Sequence, residues 1–359
     1  MLWIWVGFIL FILLLLALDL GVLNRKAHVI GVKEALGWSA VWIGLGLSFS
    51  VLVYLGYEHH WLGLGNTPDA VEKSSDFPQG KVNDGKQAVI KYLTGYVVEK
   101  SLSVDNIFVI AMIFSFFAVP AMYQHRVLFW GILGALLMRG AMIGIGASLI
   151  ASFNWILYVF GAFLIITAIK MLLIDSHTDP AKNPVVRFVK KLFPITDRFH
   201  GEHFFVRAGS TASHEAATPA GTVEKDNAVD TARVGRMMLT PLSLSLVSVE
   251  VTDLIFAVDS IPAIFAITAD PFLVFTSNVF AILGLRSLYF ALAGMMETFK
   301  YLKYALAIVL AVVGVKMLMH LQLKAWLGAN FNFYLLGTVL LILAGGVVIS
   351  MLANRRQPA

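Results

Sequence analysis

Two closely similar acidic motifs lie inside apolar stretches of the chain, and their residue types could bind a cation. In each motif a second acid follows the first after six residues, within the tetrapeptide Val-Asp-Asn/Ser-Ile, and the motifs are Glu99–Ile107 and Asp253–Ile261. On insertion scales, a charged carboxylate at the centre of a membrane helix costs about 2.5–3.5 kcal/mol. Because the chain carries this cost repeatedly, the motifs predict a buried site that a cation or protons would neutralise.

The oxygen ligands in and near these motifs favour a hard divalent cation. Carboxylate, amide and hydroxyl oxygens suit Mg²⁺, Ca²⁺ or Mn²⁺, and the chain has no cysteine to supply a thiolate. We predict that Asp105 and Asp259 form the centre of the site, with Asn106 and Ser260 as neutral ligands. The acids that would extend the site or relay protons are Glu99, Asp253 and Glu250, with Asp19 as a possible accessory. No prosthetic group is expected.

The six-residue spacing within each motif limits how its two acids could meet. On a straight α-helix this spacing corresponds to about 600°, which leaves the side chains about 120° apart. Either the helix is broken between the acids, or the acids serve different positions along one path. Ser101, Ser103 and Pro262 favour local unwinding, and a broken helix would supply free carbonyl groups to an ion.

Two arginines inside apolar stretches, Arg139 and Arg286, are the candidate counter-charges. They would neutralise the empty site or lock a gate. The alternative is that they form structural salt bridges with the acids and take no part in ion binding. The repetition of an expensive buried charge in two related motifs favours the functional interpretation.

The composition predicts an all-α, polytopic membrane protein. Of the 359 residues, 58% are hydrophobic and 14% are charged, and the mean hydropathy is +0.80. Apolar runs of about 20 residues recur, and each is long enough to cross a bilayer as a helix. The nine predicted transmembrane helices are approximately 2–22, 36–57, 88–119, 124–152, 155–174, 240–268, 272–296, 302–321 and 331–352.

Short matching segments predict two copies of a three-helix unit. Ile132-Leu133-Gly134 matches Ile282-Leu283-Gly284, and Lys170-Met171-Leu172 matches Lys316-Met317-Leu318. With three helices per copy, the second copy would enter the membrane from the opposite side, as in the inverted repeats of many transporters. The predicted organisation is two N-terminal helices with an extracytoplasmic loop (1–87), the first repeat (88–174), a partly disordered cytoplasmic loop (175–238), the second repeat (239–321), and a last helix with a basic tail (322–359).

The basic residues predict how the chain is oriented. The segment 175–238 and the C-terminal Arg355-Arg356 are basic, whereas the loop 58–87 is rich in acids. The positive-inside rule therefore places the N-terminus outside and the C-terminus in the cytoplasm. The basic charge belongs to these loops and does not indicate nucleic-acid binding. The chain shows no nucleophile elbow, phosphate-binding loop or dinucleotide fingerprint, so an enzyme is not expected.

The motifs also carry a family resemblance. The segments Thr94–Asn106, Glu202–Arg207 and Phe256–Ala266, which read TGYVVEKSLSVDN, EHFFVR and FAVDSIPAIFA, resemble the TerC family of integral membrane proteins, and within it the Alx-like branch. The resemblance extends from about Asp19 to Met319. It implies a manganese exporter of the bacterial inner membrane, connected with alkaline response and with tellurium resistance. It also implies that the metal is carried by the motif acids, here Glu99, Asp105, Asp253 and Asp259.

From the motifs and the resemblance together, we predict a secondary transporter that exports Mn²⁺, with proton coupling as a further expectation. Its partners would be the metal ion, protons and the lipid bilayer. One alternative is a non-transporting membrane scaffold of the tellurium-resistance or stress-response type. Another is transport of a different substrate, such as Ca²⁺ or an oxyanion. An oxyanion would bind the arginines in preference to the acids, which argues against tellurite itself as cargo.

Overall fold

The structure is a computed structural model, and it describes residues 2–18, 31–72, 80–153, 155–173, 188–189, 191–196, 198–208, 229, 233, 235–292, 302–319, 322–323, 326 and 331–355. The α-helices in these ranges are α1 (Leu2–Leu18), α2 (Val32–Glu58), α3 (Gly85–Phe116), α4 (Ala121–Ser152), α5 (Ile156–Leu173), α6 (Pro241–Phe265), α7 (Pro271–Leu283), α8 (Leu285–Leu292), α9 (Leu302–Leu318) and α10 (Phe331–Arg355). Short strands form two antiparallel pairs, β1 (Pro68–Asp69) with β2 (Lys81–Val82) and β3 (Phe205–Arg207) with β4 (Met237–Leu239). The described chain is mainly helical, as the composition predicts.

Within the described ranges, six helical segments are long and apolar enough to cross a membrane by length and composition. They are α2, α4, α5, α6, the segment Pro271–Leu292 that combines α7 and α8, and Asn332–Ala353 within α10. By contrast, α1 and α9 have 17 residues each, and α3 carries Glu99, Lys100 and Asp105 near its middle. The count of nine crossings stays a prediction. Most of the predicted cytoplasmic loop lies outside the described residues.

Local signals explain where the helices of the central bundle begin. Asp84 precedes α3, and its side chain accepts a hydrogen bond of 2.7 Å from the backbone N–H of Gln87. Asp270 caps α7 in the same way, accepting from the N–H of Phe272 at 3.0 Å. Pro271 follows as the first residue of α7, where its fixed φ suits a helix and its missing N–H leaves no donor unsatisfied.

The helices that carry the acidic motifs are continuous, so of the two alternatives that the six-residue spacing leaves open, a helix broken between the acids does not occur. Pro262 lies inside α6 without ending it. The Ser101 hydroxyl donates to the carbonyl of Val97 at 2.6 Å, a local bond that a helix tolerates. The break occurs instead at Gly284, which separates α7 from α8 within the predicted span 272–296.

The contacts between the two predicted repeats form a symmetric pattern. We call α3–α5 the first half and α6–α9 the second half. Helix α3 packs on α6 and α7, α4 packs on the same two helices, and α5 packs on α9. Because corresponding helices face each other and the first and second helices exchange partners, the packing supports a two-fold relation. The inverted orientation of the repeats stays a prediction.

The closest approach of the two halves is between α5 and α9, where two glycines face each other. A Cβ placed at Gly314 would lie 3.0 Å from the carbonyl oxygen of Gly161, and a Cβ placed at Gly161 would lie 3.2 Å from that of Gly314. Small residues allow the backbones of membrane helices to pack this closely.

Substitution of Gly314 with alanine is therefore expected to destabilise the protein by about 1–3 kcal/mol, because the added methyl group must push two backbones apart. The measurement is the thermal unfolding midpoint of the purified protein in detergent. Gly144→Ala in α4 is the matched control, since a Cβ there meets nothing within 4 Å. Equal midpoints for the two variants would contradict the assignment of a tight α5–α9 contact.

Candidate functional site

Arg139 of α4 forms the centre of a buried charged cluster between the two halves. Its guanidinium pairs with Glu99 of α3 and binds Asp253 of α6 through two hydrogen bonds, from Nη2 to Oδ1 at 3.1 Å and from Nε to Oδ2 at 3.3 Å. Arg139 is only 2% exposed. A planar guanidinium can hold two carboxylates in this way because its five N–H donors point in fixed directions. The first acids of the two motifs therefore meet, and they meet through an arginine.

Neutral side chains complete the shell around Arg139. Its Nη1 lies 3.4 Å from Ser260 Oγ and donates to Asn278 Oδ1 at 3.1 Å. Asn278 is itself fixed, because its Nδ2 donates to the carbonyl of Val274 at 2.9 Å. Ser260 was a predicted ligand. The amide of Asn278 lies within an apolar span, where a polar side chain favours hydrogen bonds between helices, and its bond to Arg139 is of this kind.

Glu250 brings a third carboxylate to this region. It lies one turn before Asp253 on the same face of α6, close enough for the two charges to interact. Its carboxylate occupies space that a side chain at Gly134 would fill. Oε2 of Glu250 and Oε2 of Glu99 are both buried, with no hydrogen-bond donor among the described residues. One arginine thus faces three carboxylates, which is the excess negative charge that a cation or protons would balance.

The structure does not bring Asp105 and Asp259 together in the single cage that the sequence predicted. Gly95 of α3 lies against Ile264 of α6, whereas Glu99, further along α3, shares Arg139 with residues earlier in α6. The two helices therefore run antiparallel. Asp105 and Asp259 each lie six residues, about 9 Å along the helix axis, from the first acid of their own motif, and among the described residues neither is one of the side chains that bind Arg139.

Asp105 and Asp259 instead each face a lysine from the last helix of the opposite half. Asp105 of the first half interacts electrostatically with Lys303 of α9. Asp259 of the second half does so with Lys170 of α5 and accepts a hydrogen bond of 3.1 Å from Thr167. Across the part of the chain that the structure describes, no group of three or more histidine and acidic side chains could hold a metal ion together.

The other predicted site residues lie apart from this cluster or outside the described ranges. Asn106 is buried in α3, and Arg286 is buried in α8, just after the break at Gly284. Their roles as ligand and counter-charge stay predictions. Asp19 lies outside the described residues.

A second charged cluster, which sequence reasoning missed, lies at the end of the bundle where α3 begins. Lys91 is fully buried, and its Nζ is 2.9 Å from Asp69 Oδ2, 3.2 Å from Glu72 Oε1 and 2.6 Å from Asn83 Oδ1. Asp69 also accepts from the Thr268 hydroxyl. We call these five residues the loop cluster. Its sequence signal was a lysine inside the apolar start of α3, preceded by a loop rich in acids.

The loop cluster fastens the α2–α3 loop to the junction between α6 and α7. Asp69 Oδ1 accepts from the backbone N–H of Ala269 at 2.8 Å, and the neighbouring Asp270 accepts from the Tyr57 hydroxyl at 2.8 Å. Burial alone would raise the pKa of Asp69, but Lys91 and the hydrogen bonds from Thr268 and Ala269 outweigh burial and lower it. Burial raises the pKa of Asp270, and the negative charge of Asp69 adds to this.

Asp270→Asn is expected to change how stability depends on pH. A carboxyl group with a raised pKa binds its proton more tightly when folded, so its stabilising contribution is present at low pH. That contribution is lost as the pH rises from the ordinary carboxyl value of about 4 through the raised pKa. The advantage of the wild type over Asp270→Asn should therefore shrink with rising pH, as measured by unfolding midpoints in detergent. Parallel pH profiles of the two proteins would contradict this.

The comparison with known proteins gives the family of the chain. Residues 84–358 match the family model described as "Integral membrane protein TerC family". The "Uncharacterized membrane protein STKORF319" of Myxococcus xanthus is 47% identical over 314 residues, which cover 87% of this chain and 82% of that protein. The "Putative membrane-bound redox modulator Alx" of Escherichia coli (strain K12) is 43% identical over 336 residues, with 91% and 90% covered. No solved structure matches the chain. The chain therefore belongs to the TerC family and is a multi-pass integral membrane protein.

Proposed function

We propose that this protein is a secondary transporter that exports Mn²⁺ across the bacterial inner membrane, with its N-terminus outside and its C-terminus in the cytoplasm. The observation that carries the proposal is the imbalance of charge at Arg139. One buried carboxylate, that of Glu99, and two partly buried ones, those of Asp253 and Glu250, surround or adjoin one guanidinium, and two of their oxygens have no donor among the described residues. A divalent cation would neutralise this excess and would use these oxygens as ligands.

In the proposed cycle, Arg139 occupies the centre of the site when no metal is bound. The arriving cation takes the carboxylates of Glu99 and Asp253, and the guanidinium moves to other acceptors such as Asn278. Protons that the acids hold when empty would leave as the metal enters, which couples metal movement to protons. Asp105 and Asp259 would then be further binding positions along the path, each six residues, or about 9 Å along its own helix, from the first acid of its motif.

Manganese itself comes from the family resemblance, because oxygen ligands alone indicate only a hard divalent cation. The relatives named for redox modulation bear on this point. Since the present chain has no cysteine, it has no thiol with which to carry out disulfide exchange. An influence on cellular redox state would act by a route other than a thiol of this chain, and movement of a metal ion bound at the charged cluster is the route we propose.

The cellular test uses Asp105→Asn and Asp259→Asn in a manganese-stressed bacterial host. Both variants are expected to raise intracellular manganese relative to the wild type, because each removes one charged binding position from the path. Glu202→Gln is the matched control, since it removes a carboxylate from a half-exposed ion pair with Arg126. Wild-type manganese levels in both aspartate variants would contradict the path. Loss of function only on deletion within 175–238 would favour the scaffold alternative.

A further inference from the structure

A partly buried ammonium group, that of Lys100, lies at the break between α7 and α8, on the side of the bundle that faces α2. The Nζ of Lys100 donates to the carbonyl oxygen of Ala281 at 3.0 Å. A Cβ at Gly284 would lie 2.8 Å from this Nζ and 3.0 Å from the Cβ of Trp42. Glycine at the break therefore makes room for the ammonium, and α2 closes the space from the other side.

Two serine hydroxyls lie about one helical turn from this contact, Ser103 on α3 and Ser39 on α2, and neither has a hydrogen-bond partner among the described residues. Ser103 is 1% exposed and Ser39 is 6% exposed, and the Oγ of each is buried without a donor or acceptor in the part of the chain described. Ser103 is three residues after Lys100, on the same face of α3. Leaving a hydroxyl unpaired in a buried apolar setting is costly, so two such groups beside one ammonium call for a common partner.

The register of α2 and α3 places Ser39 and Ser103 at the same height. Gly46 of α2 packs against the ring of Tyr96, and Trp42, four residues earlier, lies level with Lys100, four residues later. The two helices are thus antiparallel and in step. The same register pairs Ser39, three residues before Trp42, with Ser103, three residues after Lys100.

The chemistry of these groups is that of donors. An ammonium group has three N–H donors and no acceptor, and a serine hydroxyl can donate one hydrogen bond. The first turn of α8, which begins immediately after Gly284, adds N–H groups at the positive end of a helix dipole. Among the described residues, Lys100 donates its hydrogen bond to a neutral carbonyl, that of Ala281. Glu99, the nearest acid in sequence, points about 100° away around α3 and is held by Arg139.

We propose that Lys100, Ser39 and Ser103, together with the start of α8, form a binding site for a small monovalent anion such as chloride. The anion would accept hydrogen bonds from the ammonium and both hydroxyls and would neutralise the partly buried positive charge. The site is separate from the carboxylate cluster and takes an ion of the opposite sign. It lies where the second half of the bundle is bent, so the anion would hold α2 and α3 against the α7–α8 break.

The test measures unfolding midpoints of the purified protein in detergent, in sodium chloride and in sodium gluconate at equal ionic strength. Ligand that binds only the folded protein raises the midpoint with the logarithm of its concentration. The wild type should therefore be more stable in chloride, and bromide should act similarly. Lys100→Met and Ser103→Ala should lose the difference between the salts. Lys86→Met, which changes an exposed lysine on the same helix, should keep it.

A wild-type midpoint that is the same in chloride, bromide and gluconate would overturn the proposal, and the hydroxyls would then bind water only. An undiminished chloride effect in Lys100→Met would also overturn it. If Lys100→Met does not yield folded protein, Ser103→Ala decides the outcome, because it retains the ammonium and removes only one donor. The readout is stability in a chosen salt, so its failure leaves the manganese proposal unaffected.

Discussion

Replacement of Arg139 with methionine is expected to lower the free energy of unfolding by about 3–5 kcal/mol, which is the usual cost of removing one partner from a buried ion cluster. Methionine has a similar length and packs well, so little of this loss would come from a cavity. The cost arises because Glu99 and Asp253 would be left in the interior without their common counter-charge. The measurement is the unfolding midpoint in detergent, followed by far-UV circular dichroism, which reports helix content.

The design includes a control and a rescue. Arg126→Met removes the arginine of the half-exposed pair with Glu202 and is expected to cost about 0–1 kcal/mol. Adding Glu99→Gln and Asp253→Asn to Arg139→Met should restore part of the stability, because the uncompensated charges are then gone. A loss for Arg139→Met no larger than for Arg126→Met would show that Arg139 is not the centre of a buried cluster.

Glu99→Gln is expected to slow manganese transport by at least about tenfold, since even residues that merely support metal ligands typically cost 10–100-fold when changed. The same change should be mild for folding, because Arg139 keeps its two-bond contact with Asp253 and one of several mutually repelling carboxylates is removed. This combination separates a transport site from a structural ion pair. A purely structural pair would lose stability and leave transport unchanged.

The effect of Mn²⁺ on the unfolding midpoint provides an independent test of Glu99→Gln. Mn²⁺ should raise the unfolding midpoint of the wild type, since it binds the folded protein, and should raise that of Glu99→Gln much less. Glu202→Gln serves again as the control, because its carboxylate is half-exposed and distant from Arg139 in the structure. Equal Mn²⁺ effects on Glu99→Gln and Glu202→Gln would remove Glu99 from the proposed site.

Much of the architecture could be predicted because it follows from local patterns. Apolar runs marked the helices, and the matched motifs drew attention to the acids, two of which, Glu99 and Asp253, bind one arginine in the structure. What could not be predicted was which acids meet. Arg139 binds the first acids of the two motifs, whereas Asp105 and Asp259 each face a lysine. This choice of partners depends on packing that a sequence pattern does not contain.

The loop cluster shows a different limit of sequence reasoning. Lys91, Asp69 and Thr268 are separated by long stretches of chain, and only the assembled bundle brings them within hydrogen-bond distance. No spacing rule connects them. The break at Gly284 is similar, because a glycine inside an apolar span is compatible with a continuous helix. The need for glycine at this position comes from Lys100, which lies against it in the folded bundle.

The most direct test of the central claim is Mn²⁺ flux in proteoliposomes that contain the purified protein, with and without a pH gradient. The proposal predicts that the wild type moves Mn²⁺ faster than protein-free liposomes do, that a pH gradient changes the rate, and that Asp253→Asn abolishes the flux while Glu202→Gln preserves it. A wild-type rate equal to that of empty liposomes, or undiminished flux in Asp253→Asn, would contradict it.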